Sequence, residues 1–224
     1  MSTQAKRVAF HTLGCKLNFS ETSTISRDFL SHGFEKVNYR DKADIYVLNT
    51  CSVTENADKE ARKFIRQAKQ RNPNSSVAVI GCYAQLKPND IAAIDGVDIV
   101  LGAEEKFNLL NHLDSINLNG STKVIQSEID QVHKFTPSYS SAERTRSFLK
   151  IQDGCDYTCS FCTIPLARGQ SRSDTISNTL KVAKEVAETE TREIVLTGVN
   201  IGDYGKGSNE TFFDLIQQLD VLDG

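Results

Sequence analysis

The sequence has no apolar run of membrane-spanning length, and its first residues, MSTQAKRVAF, lack the apolar stretch of a secretory leader. Proline is scarce, with 4 among 224 residues, and hydrophobic residues make up 39%, which excludes wholesale disorder and favours a sizeable core. Neither sign of charge dominates. A formal net charge of −3 argues against a protein that coats polyanions with its whole surface, though it permits a local basic face. The histidines, His11, His32, His112 and His133, form no ligand-like spacing. What remains is a set of 6 cysteines without secretory context, a pattern that points to metal or redox chemistry in a cytoplasmic protein rather than a disulfide framework.

Three of those cysteines, Cys155, Cys159 and Cys162, share one short loop with C-x3-C-x2-C spacing. Three thiolates fall one short of the four that close a structural site, so a metal centre held there keeps an open position, where catalysis occurs. The bland alternative is a zinc knuckle or buried free thiols. A knuckle needs a second ligand pair, and the nearest candidate, His133, precedes the strand that feeds the loop.

Apolar runs and breakers divide the rest of the chain into alternating strands and helices. Strands are expected over Arg7 to Leu13, Ala43 to Asn49, Val77 to Ile80 and Asp98 to Leu101. Helices are expected over Ser20 to Ser31, from the Asn56 or Asp58 cap to about Arg71, over Pro88 to Ile94 and over Glu104 to Ile116. In the first of these, Ile25, Phe29 and Leu30 lie on one side. The pattern predicts a parallel α/β sheet covered on both faces. Residues 120–145 read as a connecting segment with one possible strand, Lys123 to Gln126. A second α/β pattern follows, with strands over Ser147 to Gln152 and Glu193 to Val199 and helices over Ile176 to Glu188 and Phe212 to Leu219. The domains are therefore expected at 1–119 and 146–224. Two βα units cannot close a barrel, so the second domain is expected to be truncated.

Cys15, Cys51 and Cys82 each follow one of the expected strands. In a parallel sheet the carboxyl ends of the strands share one edge, the edge where α/β proteins bind ligands. The three therefore converge into a second three-thiolate site, against the alternative of three separately buried cysteines.

The words around these cysteines, TLGCKLN at 12–18, LNTCSVTENADKEAR at 48–62, VIGCYAQ at 79–85 and LKIQDGCDYTCSFCTIPLARGQSRS at 149–173, resemble the radical-SAM methylthiotransferase family. Within it, they are most similar to the branch acting on threonylcarbamoyladenosine in tRNA. The resemblance implies a flavodoxin-like domain followed by the first βα units of a radical-SAM partial TIM barrel. It further implies a [4Fe–4S] cluster on Cys155, Cys159 and Cys162 that binds S-adenosylmethionine and generates a 5′-deoxyadenosyl radical. An auxiliary [4Fe–4S] cluster on Cys15, Cys51 and Cys82 would be associated with the inserted sulfur. A tRNA substrate, an external electron donor and a sulfur source are the implied partners. Methylthiolation of isopentenyladenosine or of a ribosomal-protein aspartate is the alternative within the family. A non-catalytic metal-binding module is the alternative outside it.

The resemblance also implies that Phe161 lies by the adenine of the cofactor, although ordinary packing explains such an aromatic as well. Thr197, Gly198 and Asn200 fall where the superfamily contacts the methionyl group. A glycine there permits close approach, and a plain strand-to-loop turn is the alternative. No catalytic residue beyond the cluster ligands is implied. On the helix after Cys51, Lys59, Arg62, Lys63, Arg66 and Lys69 fall within about 120° of arc at 100° per residue. That stripe is either a solvated face or a phosphate-tracking tRNA surface. Arg168 and Arg172 are candidates for the same RNA contact, or for pairing with a carboxylate, with simple solvation as the alternative.

Overall fold

The computed structural model describes residues 5–51, 55–114, 116, 121–140 and 145–222, without the side chains of 55–58. Asn56 and Asp58, the expected helix caps, therefore lie outside the described side chains. The first unit runs β1 (Arg7–Thr12), α1 (Lys16–Ser31), β2 (Glu35–Val37), β3 (Ile45–Thr50), α2 (Glu55–Arg71), β4 (Ser76–Gly81), α3 (Cys82–Leu86), α4 (Pro88–Ala92), β5 (Ile99–Leu101), a 3-10 turn (Glu105–Asn108), α5 (Leu109–Leu113) and β6 (Lys123–Ile125). These six strands form one parallel sheet in the order β2-β1-β3-β4-β5-β6.

The central strands are apolar on both faces because both faces are covered. Along β3, Ile45 and Val47 point into the layer holding Ile25 and Phe29 of α1 and Leu109 of α5, whereas Tyr46 and Leu48 meet Ala61, Ile65 and Ala68 of α2. In β4 the alternation repeats, with Ala78 and Ile80 on the α1 side and Val77 and Val79 on the α2 side. The result is a three-layer α/β unit consistent with a flavodoxin-like fold, whose strand order reverses between β1 and β3.

A second unit follows: β7 (Ser138–Tyr139), β8 (Arg146–Lys150), β9 (Gln152–Asp153), α6 (Ile164–Arg168), β10 (Arg172–Ser173), α7 (Ile176–Ala187), β11 (Glu193–Thr197) and α8 (Phe212–Asp220). β8 pairs in parallel with β11 and antiparallel with β7, and β9 pairs antiparallel with β10. Leu149, Ile151, Ile176, Ala183, Tyr204 and Leu215 form its core. The two expected βα units are present as β8-α7 and β11-α8, and the described strands β11, β8 and β7 form a three-stranded sheet.

Several expectations need correction. α1 begins at Lys16, not Ser20, and Leu30 is 47% exposed rather than packed beside Ile25 and Phe29. The physical reason is that α1 buries a second, polar face carrying Asn18, Glu21 and Thr22. β6 joins the first sheet through its ladder with β5, so the segment after residue 119 is not merely connecting chain. α3, directly after β4, was not expected.

The two units meet along α1. Arg27 donates to the Tyr139 carbonyl at 2.9 Å and lies 3.7 Å over the Tyr139 ring, while the Tyr139 amide donates to Thr24 Oγ1. Phe19 of α1 meets Phe148 of β8 edge-on. Truncating Leu48, fully buried in a central strand, should cost about 2–5 kcal/mol. Urea unfolding of Leu48→Ala measures this, and a loss below about 1 kcal/mol would contradict the placement of that side chain in the core.

Candidate metal centres

Cys51 and Cys82 directly follow the carboxyl ends of the adjacent strands β3 and β4, and Cys15 follows β1 on the other side of β3. Ladder pairing sets the strand ends level, Thr12 opposite Asn49 and Thr50 opposite Gly81. The loops then pack closely. A Cβ on Gly14 would fall 2.8 Å from Cys51 Sγ, so the residue beside Cys15 must be glycine for the two loops to meet. Cys15 is exposed, Cys51 half-buried and Cys82 buried. Burial pushes the Cys82 thiol above its ordinary value, opposed by the positive charges of Arg168 and Lys106.

In the second unit the loop between β9 and α6 carries Cys155, Cys159 and Cys162, with Cys159 exposed and the other two half-buried. Its entry is fixed by backbone geometry. Gly154 has φ +71°, and a Cβ there would lie 2.0 Å from the Gln170 carbonyl oxygen, so no side chain fits. The Cys155 amide donates to the Gly169 carbonyl at 3.0 Å, and the Cys162 amide donates to the Cys159 carbonyl at 3.1 Å. Phe161 is 88% exposed, which removes the packing explanation for this aromatic.

Gln152 links this loop to the end of β11. Its amide nitrogen donates to the carbonyls of Asp153 and Gly154 and to Ser171 Oγ, and its amide oxygen accepts from the Asn200 backbone at 2.8 Å. A Cβ on Gly198 would meet that same oxygen at 2.9 Å. Thr197 is buried, and its hydroxyl donates to the Leu149 carbonyl. Thus Gly198 and Asn200 are brought to the Cys155 loop, and Thr197 braces the strand behind them. Sequence reasoning missed Gln152. Its only signal was a polar residue at the end of the expected strand, just before the cysteine loop.

Between the two cysteine sites lies a buried ionic cluster. Glu21, at 0% exposure, accepts from Lys106 at 2.6 Å, from Lys150 at 3.1 Å and from Arg168 at 3.1 Å. Asp153 accepts from Lys150 at 3.2 Å, from Arg168 at 2.9 Å and from Arg172 at 3.3 Å. Burial opposes ionisation of both carboxyls, but the surrounding cations overwhelm it and hold both well below the ordinary carboxylate range. Burial likewise opposes the charge on Arg168, yet Glu21, Cys82, Asp153 and Cys15 together hold its pKa well above the usual value.

These positions correct two expectations for RNA contact. Arg168 is 2% exposed and engaged by carboxylates, so it offers no free guanidinium to a phosphate. Arg172 donates to the carbonyls of Lys134, Arg168 and Gln170 as well as to Asp153. The carboxylate pairing also foreseen for both is what the fold contains.

The donor set suits iron–sulfur chemistry, since soft thiolates in threes leave one position open and the cations beside Cys82 offset anionic charge. Among the described residues no three His, Cys, Asp or Glu side chains already stand in a coordinating array.

Comparison with known proteins bears on the same residues. Residues 7–102 match the family described as uncharacterized protein family UPF0004. The chain is 40% identical over 220 residues to the threonylcarbamoyladenosine tRNA methylthiotransferase MtaB of Bacillus subtilis, covering 96% of this chain and 48% of the relative. Identity to the enzyme of the same name from Aquifex aeolicus is 39% over 222 residues, covering 97% and 54%. In sequence the chain is similar to the threonylcarbamoyladenosine tRNA methylthiotransferases of these two organisms. It is also 29% identical over 228 residues to the tRNA-2-methylthio-N(6)-dimethylallyladenosine synthase of Clostridium botulinum (strain Eklund 17B / Type B), covering 98% and 50%. The chain spans about half the length of the curated relatives it matches. Among the described residues no helix is long and apolar enough to cross a membrane.

The basic stripe on α2 is narrower than the sequence implies. Lys59, Lys63 and Arg66 are exposed on α2, and Arg62 is half-buried. Lys69 is drawn inward, donating to the Ser75 carbonyl at 2.6 Å and pairing with Asp98 at 2.8 Å. Ala61, Ile65 and Ala68 bury the opposite face.

The depressed carboxyls of Glu21 and Asp153 have a direct consequence for acid stability. Each contributes stability that is complete above the unfolded carboxylate range, about pH 4, and is lost as pH falls through the folded value. The urea midpoint should therefore fall as pH drops from about 5 to about 3, and Glu21→Gln should show a shallower fall, by up to about 1.4 kcal/mol per pH unit. Equal slopes for the two proteins would show that the folded state does not hold the Glu21 carboxyl below its unfolded value.

Proposed function

We propose that this chain is the cluster-bearing part of a tRNA-modifying methylthiotransferase that converts threonylcarbamoyladenosine beside the anticodon to its 2-methylthio derivative. The observation that carries this reading is the pair of three-cysteine sites, one on the edge of a parallel sheet and one in a loop after a strand, in a chain related to enzymes of that name. In the reading, Cys155, Cys159 and Cys162 hold one [4Fe–4S] cluster and Cys15, Cys51 and Cys82 hold another. When bound, the first supplies radical chemistry with S-adenosylmethionine and the second lies with the sulfur to be inserted.

The remaining roles fall to residues of the chain. Gly198 and Asn200, tied to the Cys155 loop through Gln152, line the place for the methionyl end of the cofactor. Thr197 braces the strand that delivers them. Phe161, exposed beside Cys162, is free to cover the adenine. Lys59, Lys63 and Arg66 offer the tRNA backbone an exposed row of cations, with Arg62 at its margin. An electron donor and a sulfur source complete the requirements, and the setting is cytoplasmic. The dimethylallyladenosine synthase relatives favour a second reading, in which isopentenyladenosine is the base acted on.

Metal content measured without oxygen tests the central claim. Reconstitution should give about eight irons and eight sulfides per chain, falling to about four of each when Cys15, Cys51 and Cys82 are replaced by Ala. Zinc alone, or four irons that survive the triple replacement as the full complement, would overturn the two-cluster reading. Mass spectrometry of tRNA nucleosides from cells lacking the gene separates the two substrates. Loss of the methylthio-threonylcarbamoyl nucleoside supports the first, and loss of the methylthio-isopentenyl nucleoside supports the second.

The RNA surface is tested by salt. Replacing Lys59, Lys63 and Arg66 with Ala should weaken tRNA binding and reduce the slope of log K against log salt by about one for each phosphate contact removed. An unchanged slope would return α2 to ordinary solvated surface.

A further inference from the structure

Four cations, Lys106, Lys150, Arg168 and Arg172, face the two carboxylates Glu21 and Asp153 in the cluster between the units. Arg168 differs from the others in what else it holds. One guanidinium nitrogen bonds Glu21 and Asp153, at 3.1 and 2.9 Å, and the other donates to Asn18 Oδ1 at 2.5 Å. Asn18, fully buried on α1, passes this on. Its amide nitrogen donates to the carbonyl of Leu13 at 3.0 Å and to that of Thr50 at 2.9 Å. Those are the carbonyls just before Gly14-Cys15 and before Cys51.

On the other side, Asp153 Oδ1 accepts from the Gly154 amide at 2.9 Å, immediately before Cys155. The residue after Arg168, Gly169, accepts the Cys155 amide through its carbonyl. An unbroken run of hydrogen bonds therefore passes from the Cys15 and Cys51 loops through Asn18, Arg168 and Asp153 to the Cys155 loop. The polar side chains along it are all buried. In such surroundings each bond is short of water competitors and the geometry is held firmly.

We propose that Arg168 is a positioning residue that locks the two cysteine sites into one fixed relation. The chemistry suits arginine rather than lysine. A planar fork can hold Asn18, Glu21 and Asp153 at once, whereas an ammonium is a single point of charge. A fixed relation also suits two centres that must act on the same substrate atom in turn. That last step rests on the function proposed above, but the lock itself does not.

Amide hydrogen exchange on the metal-free chain tests it, comparing wild type with Arg168→Met and Arg168→Lys. Removal of the charge strands neither carboxylate, because Glu21 keeps Lys106 and Lys150 while Asp153 keeps Lys150 and Arg172. Met preserves most of the apolar volume, so a packing role predicts wild-type exchange for Arg168→Met. The lock instead predicts that exchange speeds by about tenfold at both 13–19 and 153–156, with β4 amides unchanged, and that Arg168→Lys recovers part of the protection at both. Acceleration at one site alone, or at neither, would overturn the proposal. Should Arg168→Met lose β4 protection, Arg168→Lys decides alone: partial loss at both sites supports the lock, and wild-type behaviour overturns it. Failure of the wild type to load iron would remove the cluster reading and leave the exchange result standing.

Discussion

A carboxylate with no exposed surface stays charged only where cations replace the water it has lost. Glu21 meets that requirement with Lys106 from its own unit and with Lys150 and Arg168 from the other. Much else in the molecule follows from the need to bring those groups together. α1 must bury a polar face that carries Glu21, β8 must end in a buried lysine, and α6 must deliver Arg168 back towards α1. Leaving such a group with no partner at all is strongly destabilising, and the cations that serve Glu21 come from both units.

The sheet supplies the complementary constraint. Parallel strands buried on both faces have to be apolar along their length, so polar and reactive groups are confined to their ends. The carboxyl-terminal edge between β1, β3 and β4 includes the point where strand order reverses, a natural crevice, and Cys15, Cys51 and Cys82 stand there. Asn18 closes the floor of that crevice through the Leu13 and Thr50 carbonyls. The reactive thiols and the ionic joint thereby share one wall.

The layered sheet was legible in the sequence because short continuous apolar runs such as IYVLN and VAVI, bounded by breakers and alternating with helical patterns, read as strands buried on both faces. Convergence of the three scattered cysteines was legible for the same reason, since strand ends share an edge. The ionic cluster was not. Glu21 and Lys106 are far in the chain from each other and from Lys150, Asp153 and Arg168, and each alone reads as a surface charge. Only tertiary contact reveals that they are buried, which is also why the sequence places the start of α1 late and leaves Arg168 open between a carboxylate, a phosphate and solvent. The short β6 was visible as a strand but not as part of the first sheet, because nothing local specifies which neighbour a strand chooses.

The division of the ionic cluster between the units bears on the order in which the chain acquires structure during synthesis. Lys106 belongs to the first unit and pairs with Glu21 at 2.6 Å, while Lys150 and Arg172 accompany Asp153 in the second. Each half thus carries a counter-charge for its own carboxylate. The leading half can fold as it leaves the ribosome without a solitary buried anion, and the second can dock on it when Arg168 has been translated. A joint made by both halves is assembled from two that are each electrically tolerable alone.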